Sequence, residues 1–219
     1  ELAGGIVEFK VRAPLVARAA RPGQFVRVLA WGDGELIPLT LADWDAEQGT
    51  IDLVIQGVGT SSILMNRMAI GDSFAGIAGP LGRPSEIHSY AADETVVFTA
   101  GGVGLPPVYP IMREHLRRGN HVTLISGFRS KDFLFWTGAD ERVGRLQAEF
   151  GGQLDVIYAT NDGSFGVQGF VTTPLEAMLS DGVRSNGRRV VEVVTIGPPL
   201  MMRAVSDLTK PYGVKTVSS

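Results

Sequence analysis

The chain has 219 residues, enough for one large domain or two small ones, and 44% of them are hydrophobic, enough to bury a core. A net charge of −3 gives no reason to expect nucleic acid or an anionic membrane as a partner, and no apolar run approaches the ~20 residues of a membrane span. The absence of cysteine excludes disulfides, a thiolate nucleophile and thiolate ligands for zinc or an iron–sulfur cluster within these residues, and is compatible with the cytoplasm.

Taken in order, the first part reads as short strands separated by turn signals. Residues 6–11 alternate apolar and polar side chains. Residues 24–29 follow Arg21, Pro22 and Gly23; residues 37–41 follow Gly32 and Gly34; residues 50–55 follow Gly49; residues 72–77 follow Gly71. Evenly spaced short strands without a long helix predict a small antiparallel barrel. One break interrupts them. Gly57, Val58, Gly59, Thr60, Ser61 and Ser62 lead into a short helix over 63–68. Hydroxyls at that place are expected to cap the first helical amides; alternatively, hydroxyls and amides together form a phosphate cradle.

From Thr95 the period changes. Residues 95–99 are nearly all apolar and predict a strand buried on both faces. The run continues into Gly101, Gly102, Val103 and Gly104, then into a helix over 105–118 with Pro106 and Pro107 in its first turn and basic residues at its far end. Strand, glycine turn and helix start together aim backbone amides at an anion, and glycine lets a phosphate approach closely. The bland alternative is a tight turn that binds nothing. Strands at 121–125, 154–158 and 190–196 alternate with helices over 141–150, 173–179 and 199–208, which predicts a doubly wound parallel sheet. Ligands of such sheets lie beyond the carboxyl ends of the strands. Those ends carry the 101–104 turn, Arg129 with Ser130 and Lys131, Asn161 with Asp162, Gly163 and Ser164, and Gly197 with Pro198. Asn161, Asp162 and Gly163 also suit an ordinary turn, and Met201 and Met202 suit core filling. His88, His115 and His121 show no ligand spacing and are expected to be structural or solvated, so no metal site is predicted. The boundary is expected between Gly82 and Asp93, giving domains over 1–90 and 91–219.

A barrel with a glycine–hydroxyl cradle, followed by a nucleotide-type sheet with G-G-x-G-x-x-P ending at Pro107, resembles the ferredoxin–NADP reductase superfamily. Further motifs narrow the resemblance: Pro22-Gly23-Gln24-Phe25, Ile37-Pro38-Leu39-Thr40-Leu41-Ala42-Asp43, Gly79-Pro80-Leu81-Gly82, Asn161-Asp162-Gly163-Ser164 and Ile196-Gly197-Pro198-Pro199. They are similar to the small subunits of NADH-dependent ferredoxin–NADP oxidoreductase, also called sulfide dehydrogenase beta subunits, and to electron-transfer subunits of dihydroorotate dehydrogenase. The resemblance implies FAD on the barrel. Ile37, Pro38, Leu39 and Thr40 would line the isoalloxazine, with Thr40 as the catalytic contact near N5, the atom that accepts hydride. Val54, Ile55 and Gln56 would follow the ribityl chain and ring edge, and Gly59, Thr60, Ser61 and Ser62 would hold the pyrophosphate. The superfamily's arginine and aromatic residue are replaced here by Ile37 and Leu39, which leaves more of the phosphate to the helix start.

The resemblance also implies NAD or NADP on the sheet. Gly101, Gly102, Val103, Gly104 and Pro107 would hold its pyrophosphate, and Arg129 would meet the adenosine ribose or a 2′-phosphate. Asp162 and Gly163 are candidates at the next strand end, and Gly197, Pro198 and Met201 beside the nicotinamide. The implied activity is that of an NAD(P)H-dependent FAD oxidoreductase. Electrons would leave through a [2Fe–2S] cluster beyond residue 219, towards ferredoxin and a larger flavoprotein subunit similar to the glutamate synthase small subunit, in a hetero-oligomer that can extend to electron bifurcation. An electron-transfer subunit of a dihydroorotate dehydrogenase or a hydrogenase is the alternative. A non-catalytic flavin-binding assembly subunit is the reading of another class.

Overall fold

In the computed structural model, which describes residues 1–219, the chain divides into two units. One comprises Glu1–Glu86 and Tyr109–Ile111, the other Ile87–Val108 and Met112–Ser219. The first unit contains β1 (Ile6–Arg12), α1 (Pro14–Ala19), β2 (Phe25–Leu29), β3 (Leu36–Asp45), β4 (Thr50–Gln56), α2 (Thr60–Met65) and β5 (Gly76–Leu81). Its strands form one antiparallel sheet in the order β1-β4-β3-β2-β5. Strand alternation decides what each side chain meets: Val26 and Val28 are buried, and Arg27 between them is exposed. Inward residues of β2, β3 and β4 join Val16 of α1 and Met65 of α2 in a single core. Phe9 of β1 and Phe74, just ahead of β5, have ring centroids 6.2 Å apart, so the two ends of the sheet approach each other round that core in barrel fashion.

Two elements of this unit differ from the sequence-based expectation. Helix α1 was not expected because Ala13 at its N-cap offers no capping side chain, leaving Pro14 as the only start signal. Strand β5 begins at Gly76 rather than Asp72, whose carboxylate instead accepts the Ala69 amide within a turn at 2.8 Å. Gly79 and Pro80 weaken the strand signal of the segment that forms β5. Pro80 is tolerated because β5 ends the sheet and pairs only with β2.

The second unit runs β6 (Glu94–Gly101), α3 (Leu105–Arg117), β7 (His121–Phe128), α4 (Arg142–Phe150), β8 (Leu154–Thr160), β9 (Val167–Gln168), α5 (Thr172–Ser180), β10 (Arg184–Ser185), β11 (Arg188–Ile196), α6 (Pro199–Thr209) and β12 (Lys215–Ser218). The main path is β10-β11-β6-β7-β8-β9, and β12 also pairs with β11. All pairings are parallel except the short β10–β11 ladder. The sheet therefore grows from β6 in two directions, through β7 and β8 on one side and through β11 and β12 on the other. Helices cover both faces. Phe98 of β6 meets His115 of α3 edge-on at 5.5 Å, whereas its neighbour Val97 clusters with Leu175 and Leu179 of α5 and Val205 of α6. This is the doubly wound arrangement.

Strand β12 was not expected from sequence. It pairs in register from Glu192↔Lys215 to Thr195↔Ser218. Glu192, buried in β11, accepts a hydrogen bond from the Tyr90 phenol at 2.6 Å and pairs with the Lys215 ammonium at 2.7 Å. A buried carboxylate is costly unless so partnered, which explains why this short strand docks. No helix of the structure is long and apolar enough to cross a membrane.

Candidate functional site

The reversal of strand order falls between β6 and β11, and both glycine motifs stand at the carboxyl ends of those strands. A 3-10 turn, Gly102–Gly104, follows β6 directly and leads into α3. The amides of Gly102 and Val103 have no acceptor inside that turn. Pro106 and Pro107 remove two donors from the start of α3, so an anion here would be met mainly by the turn itself.

The glycines divide by cause. A Cβ on Gly104 would collide with the Ile196 carbonyl, and one on Gly101 would lie 2.6 Å from the Met201 sulfur and 2.9 Å from Pro198 Cδ. A Cβ on Gly197 would lie 2.7 Å from Met201 Cε and 3.0 Å from the Gly101 amide nitrogen. These three let the ends of β6 and β11 close on one another, with Met201 packed over them. Gly102 is different: its φ of +53° favours glycine, and no atom lies within 4 Å of where its Cβ would stand. Space beside a turn of unpaired amides is what a phosphate requires.

At the neighbouring strand ends, Arg129 follows β7 and is exposed, and Asp162 and Gly163 follow β8. Ser164 ties the two segments together by accepting the Lys131 amide at 2.8 Å and donating to the Asp162 carboxylate at 2.6 Å. The Ser164 amide donates to the same carboxylate at 3.0 Å, and these bonds hold the Asp162 carboxyl below the usual carboxylate range. Gly163, with φ +74°, completes the turn by donating to the Thr160 carbonyl at 3.1 Å. The turn thus has a complete internal account. The Asn161-Asp162-Gly163-Ser164 motif does not by itself reveal Ser164 as a latch, because that role needs Lys131, 33 residues away, to be brought beside it. No group of three or more His, Cys, Asp or Glu is placed to hold a metal.

In the first unit the register of β2 on β3 sorts the candidates. Thr40 lies opposite Phe25, Pro38 opposite Arg27 and Leu36 opposite Leu29, all on the outer face. Ile37, Leu39 and Ile55 turn the other way and pack in or against the core, so those three offer the outer face only backbone. On β4, Gln56 is exposed and Val54 half-buried. The start of α2 also differs from expectation. Its N-cap is Gly59, and no hydroxyl caps the first-turn amides. Ser62 instead reaches back, accepting the Val58 and Gly59 amides at 3.1 and 3.0 Å. The amides of Thr60, Ser61 and Ser62 consequently lack an acceptor within the helix, and no atom lies within 4 Å of a Cβ on Gly59. The Ser61 hydroxyl donates to the Glu35 carboxylate at 2.8 Å, which sets one negative charge beside these donors.

An antiparallel, barrel-like unit and a doubly wound unit with glycines at its point of strand reversal together define a ferredoxin reductase-like protein. No family model matches the chain. The chain is 37% identical over 223 residues to an uncharacterised protein of the adh 3′ region of Clostridium beijerinckii, covering 100% of this chain and 71% of that relative. It is 33% identical over 214 residues to a homologue of the dihydroorotate dehydrogenase B (NAD+) electron-transfer subunit from Thermotoga maritima, covering 98% of this chain and 69% of the relative. The solved structure of an NADH-dependent reduced ferredoxin–NADP oxidoreductase, studied for flavin-based electron bifurcation, aligns with a TM-score of 0.85 at 30% identity, over 100% of this chain and 72% of that one. The chain belongs to the family of dihydroorotate dehydrogenase B electron-transfer subunits and their homologues, which are ferredoxin reductase-like oxidoreductase subunits. The resemblance drawn from the barrel and glycine motifs holds.

Proposed function

We propose that the chain is a flavoprotein module that moves hydride between a nicotinamide nucleotide and FAD and passes the electrons to a partner subunit. The observation that carries this reading is the strand reversal between β6 and β11, with the unencumbered Gly102 at one strand end and Gly197 and Pro198 at the other. The nucleotide, NAD or NADP, is assigned to the second unit. Its pyrophosphate would be held by the amides of Gly102 and Val103, with Gly101, Gly104 and Pro107 shaping the turn. Arg129 would take the ribose end beside Asp162 and Gly163, and Pro198 and Met201 would border the nicotinamide.

FAD is assigned to the first unit. Two features fit it: an outer face carrying Pro38 and Thr40, and the uncapped amides of Thr60, Ser61 and Ser62 behind Gly59. One feature opposes it, the Glu35 carboxylate on Ser61, which must release that hydroxyl for a phosphate to take its place. When bound, FAD and the nicotinamide supply the hydride acceptor and donor, so the protein contributes position and fixed dipoles rather than a side-chain acid or base. Thr40 is assigned the hydrogen bond to the ring, Val54 and Gln56 its edge, and Ile37, Leu39 and Ile55 the rigid support beneath it.

Onward transfer would use a [2Fe–2S] cluster, whose cysteine ligands lie outside residues 1–219 because none occurs within them. The partners assigned are a larger flavoprotein subunit, similar to the glutamate synthase small subunit, and ferredoxin, in a cytoplasmic hetero-oligomer. The Thermotoga homologue favours a second reading, in which the partner is the dihydroorotate-oxidising subunit. An anaerobic titration tests the shared step. The chain, reconstituted with FAD, should lose the visible flavin band on addition of NADH or NADPH. Flavin that stays oxidised under an excess of both would overturn the enzyme reading and leave that of a non-catalytic flavin-binding subunit.

A further inference from the structure

We propose that Arg27 is the cation that holds the phosphate-bearing chain of a flavin nucleotide on the outer face of the first unit; this rests on the flavin assignment above. Arg27 lies on β2, which pairs with β3 on one side and β5 on the other. Its cross-strand neighbours are Pro38 on β3 and Ala78 on β5. Proline and alanine side chains have no hydrogen-bonding group, and Arg27 has no ion-pair or hydrogen-bonding partner in the structure. The next positions along the same face, Leu29 and Leu36, are apolar. A sheet face with an apolar floor and one unpartnered guanidinium suits a planar aromatic ring with an anionic tail, since guanidinium binds phosphate oxygens two at a time.

Position on the strand supports the same division of labour. Thr40, assigned to the ring, lies two residues beyond Pro38 on this face, about 7 Å along β3. The long arginine side chain adds its own reach, so ring and phosphate would be met by separate groups on one surface. At position 37, where the superfamily carries arginine, this chain has Ile37 packed against the core, so no cation is supplied from there. Register, not sequence proximity, brings a cation to the motif: Arg27 is ten positions from Ile37 in the chain but directly across from Pro38 in the sheet.

Binding of riboflavin, FMN and FAD to the full chain, followed by quenching of flavin fluorescence, tests this directly. Loss of one charge-assisted contact predicts that Arg27→Ala weakens FMN and FAD about tenfold or more while riboflavin, which has no phosphate, stays within about twofold. Arg27→Lys, which keeps the charge but not the fork, should fall between Arg27→Ala and the parent protein. FAD affinity in Arg27→Ala equal to that of the parent would overturn the inference alone. An equal loss of riboflavin would also overturn it, since the residue would then be supporting the ring or the fold. If the parent protein binds none of the three flavins, the flavin assignment falls, and this inference with it.

Discussion

The His115 ring lies parallel to that of Tyr90 with centroids 6.3 Å apart, and its Nδ1 is 3.0 Å from the Asn120 side-chain nitrogen. Asn120 also donates to the His88 carbonyl at 2.7 Å and accepts the Tyr90 amide at 2.8 Å, so the histidine is one member of a closed polar network. With the amide donating, Nδ1 is the acceptor and the ring is neutral. Burial is the main cause that lowers its pKa from 6.5 to about 4, against an opposing pull from Glu192. The unfolded chain takes up this proton near 6.5 and the folded one only near 4, so the unfolded state binds more protons in between. Stability from the neutral ring is therefore complete above pH 6.5 and is lost as pH falls towards 4, by up to about 3 kcal/mol. Urea unfolding at pH 7 and pH 5 should show this drop, and His115→Gln should be weaker at pH 7 with a flatter dependence on pH. The sequence reading placed His115 as structural or solvated, and the structure makes it structural. What it could not supply is the company the ring keeps, because Tyr90, Asn120 and Glu192 meet only through the strand pairing.

Gly101, Gly102 and Gly104 look alike in sequence, and the fold separates them. Gly104 is required by the close passage of the Ile196 carbonyl. Gly104→Ala should part β6 from β11 and destabilise the chain by about 3 kcal/mol or more, because no flexible side chain is there to yield. Gly102→Ala meets no atom and carries only the cost of its positive φ, about 1–2 kcal/mol. It should nevertheless weaken NADH or NADPH binding, since a methyl group would stand where the phosphate approaches. Denaturation and nucleotide titration on the same two variants separate the effects, and a Gly102→Ala protein that binds nucleotide normally would remove the turn from the site. Elements whose apolar pattern stands alone were legible, among them β6, α3, β7 and β11. Those with a weak local signal, or whose partner strand decides their fate, were not. α1 has no cap signal, β5 contains glycine and proline, and β12 docks through a salt bridge to a buried glutamate in another strand.

The change from period-two strands to alternating strands and helices was readable along the whole chain, because each part carries its own rhythm of apolar residues. Less readable was the outer face of the first unit. Its content depends on the turn over 30–35 between β2 and β3, which sets the pairing that puts Arg27 beside Pro38 and sends Ile37 inward. A slip of one residue there would exchange the two faces. The same dependence on a neighbouring strand has a physical consequence at β11. Its run of residues 190–196, with one charge among seven positions, is flanked on one side by β6 and along much of the other by β12. Strip β12 away and that flank becomes a long ribbon of bare amides and carbonyls, the template on which other copies of a chain add and precipitate. A protein truncated after Val214 should show growing particle size by light scattering while the parent remains monodisperse. A truncated form that stays equally monodisperse would mean that β12 does not guard against self-association.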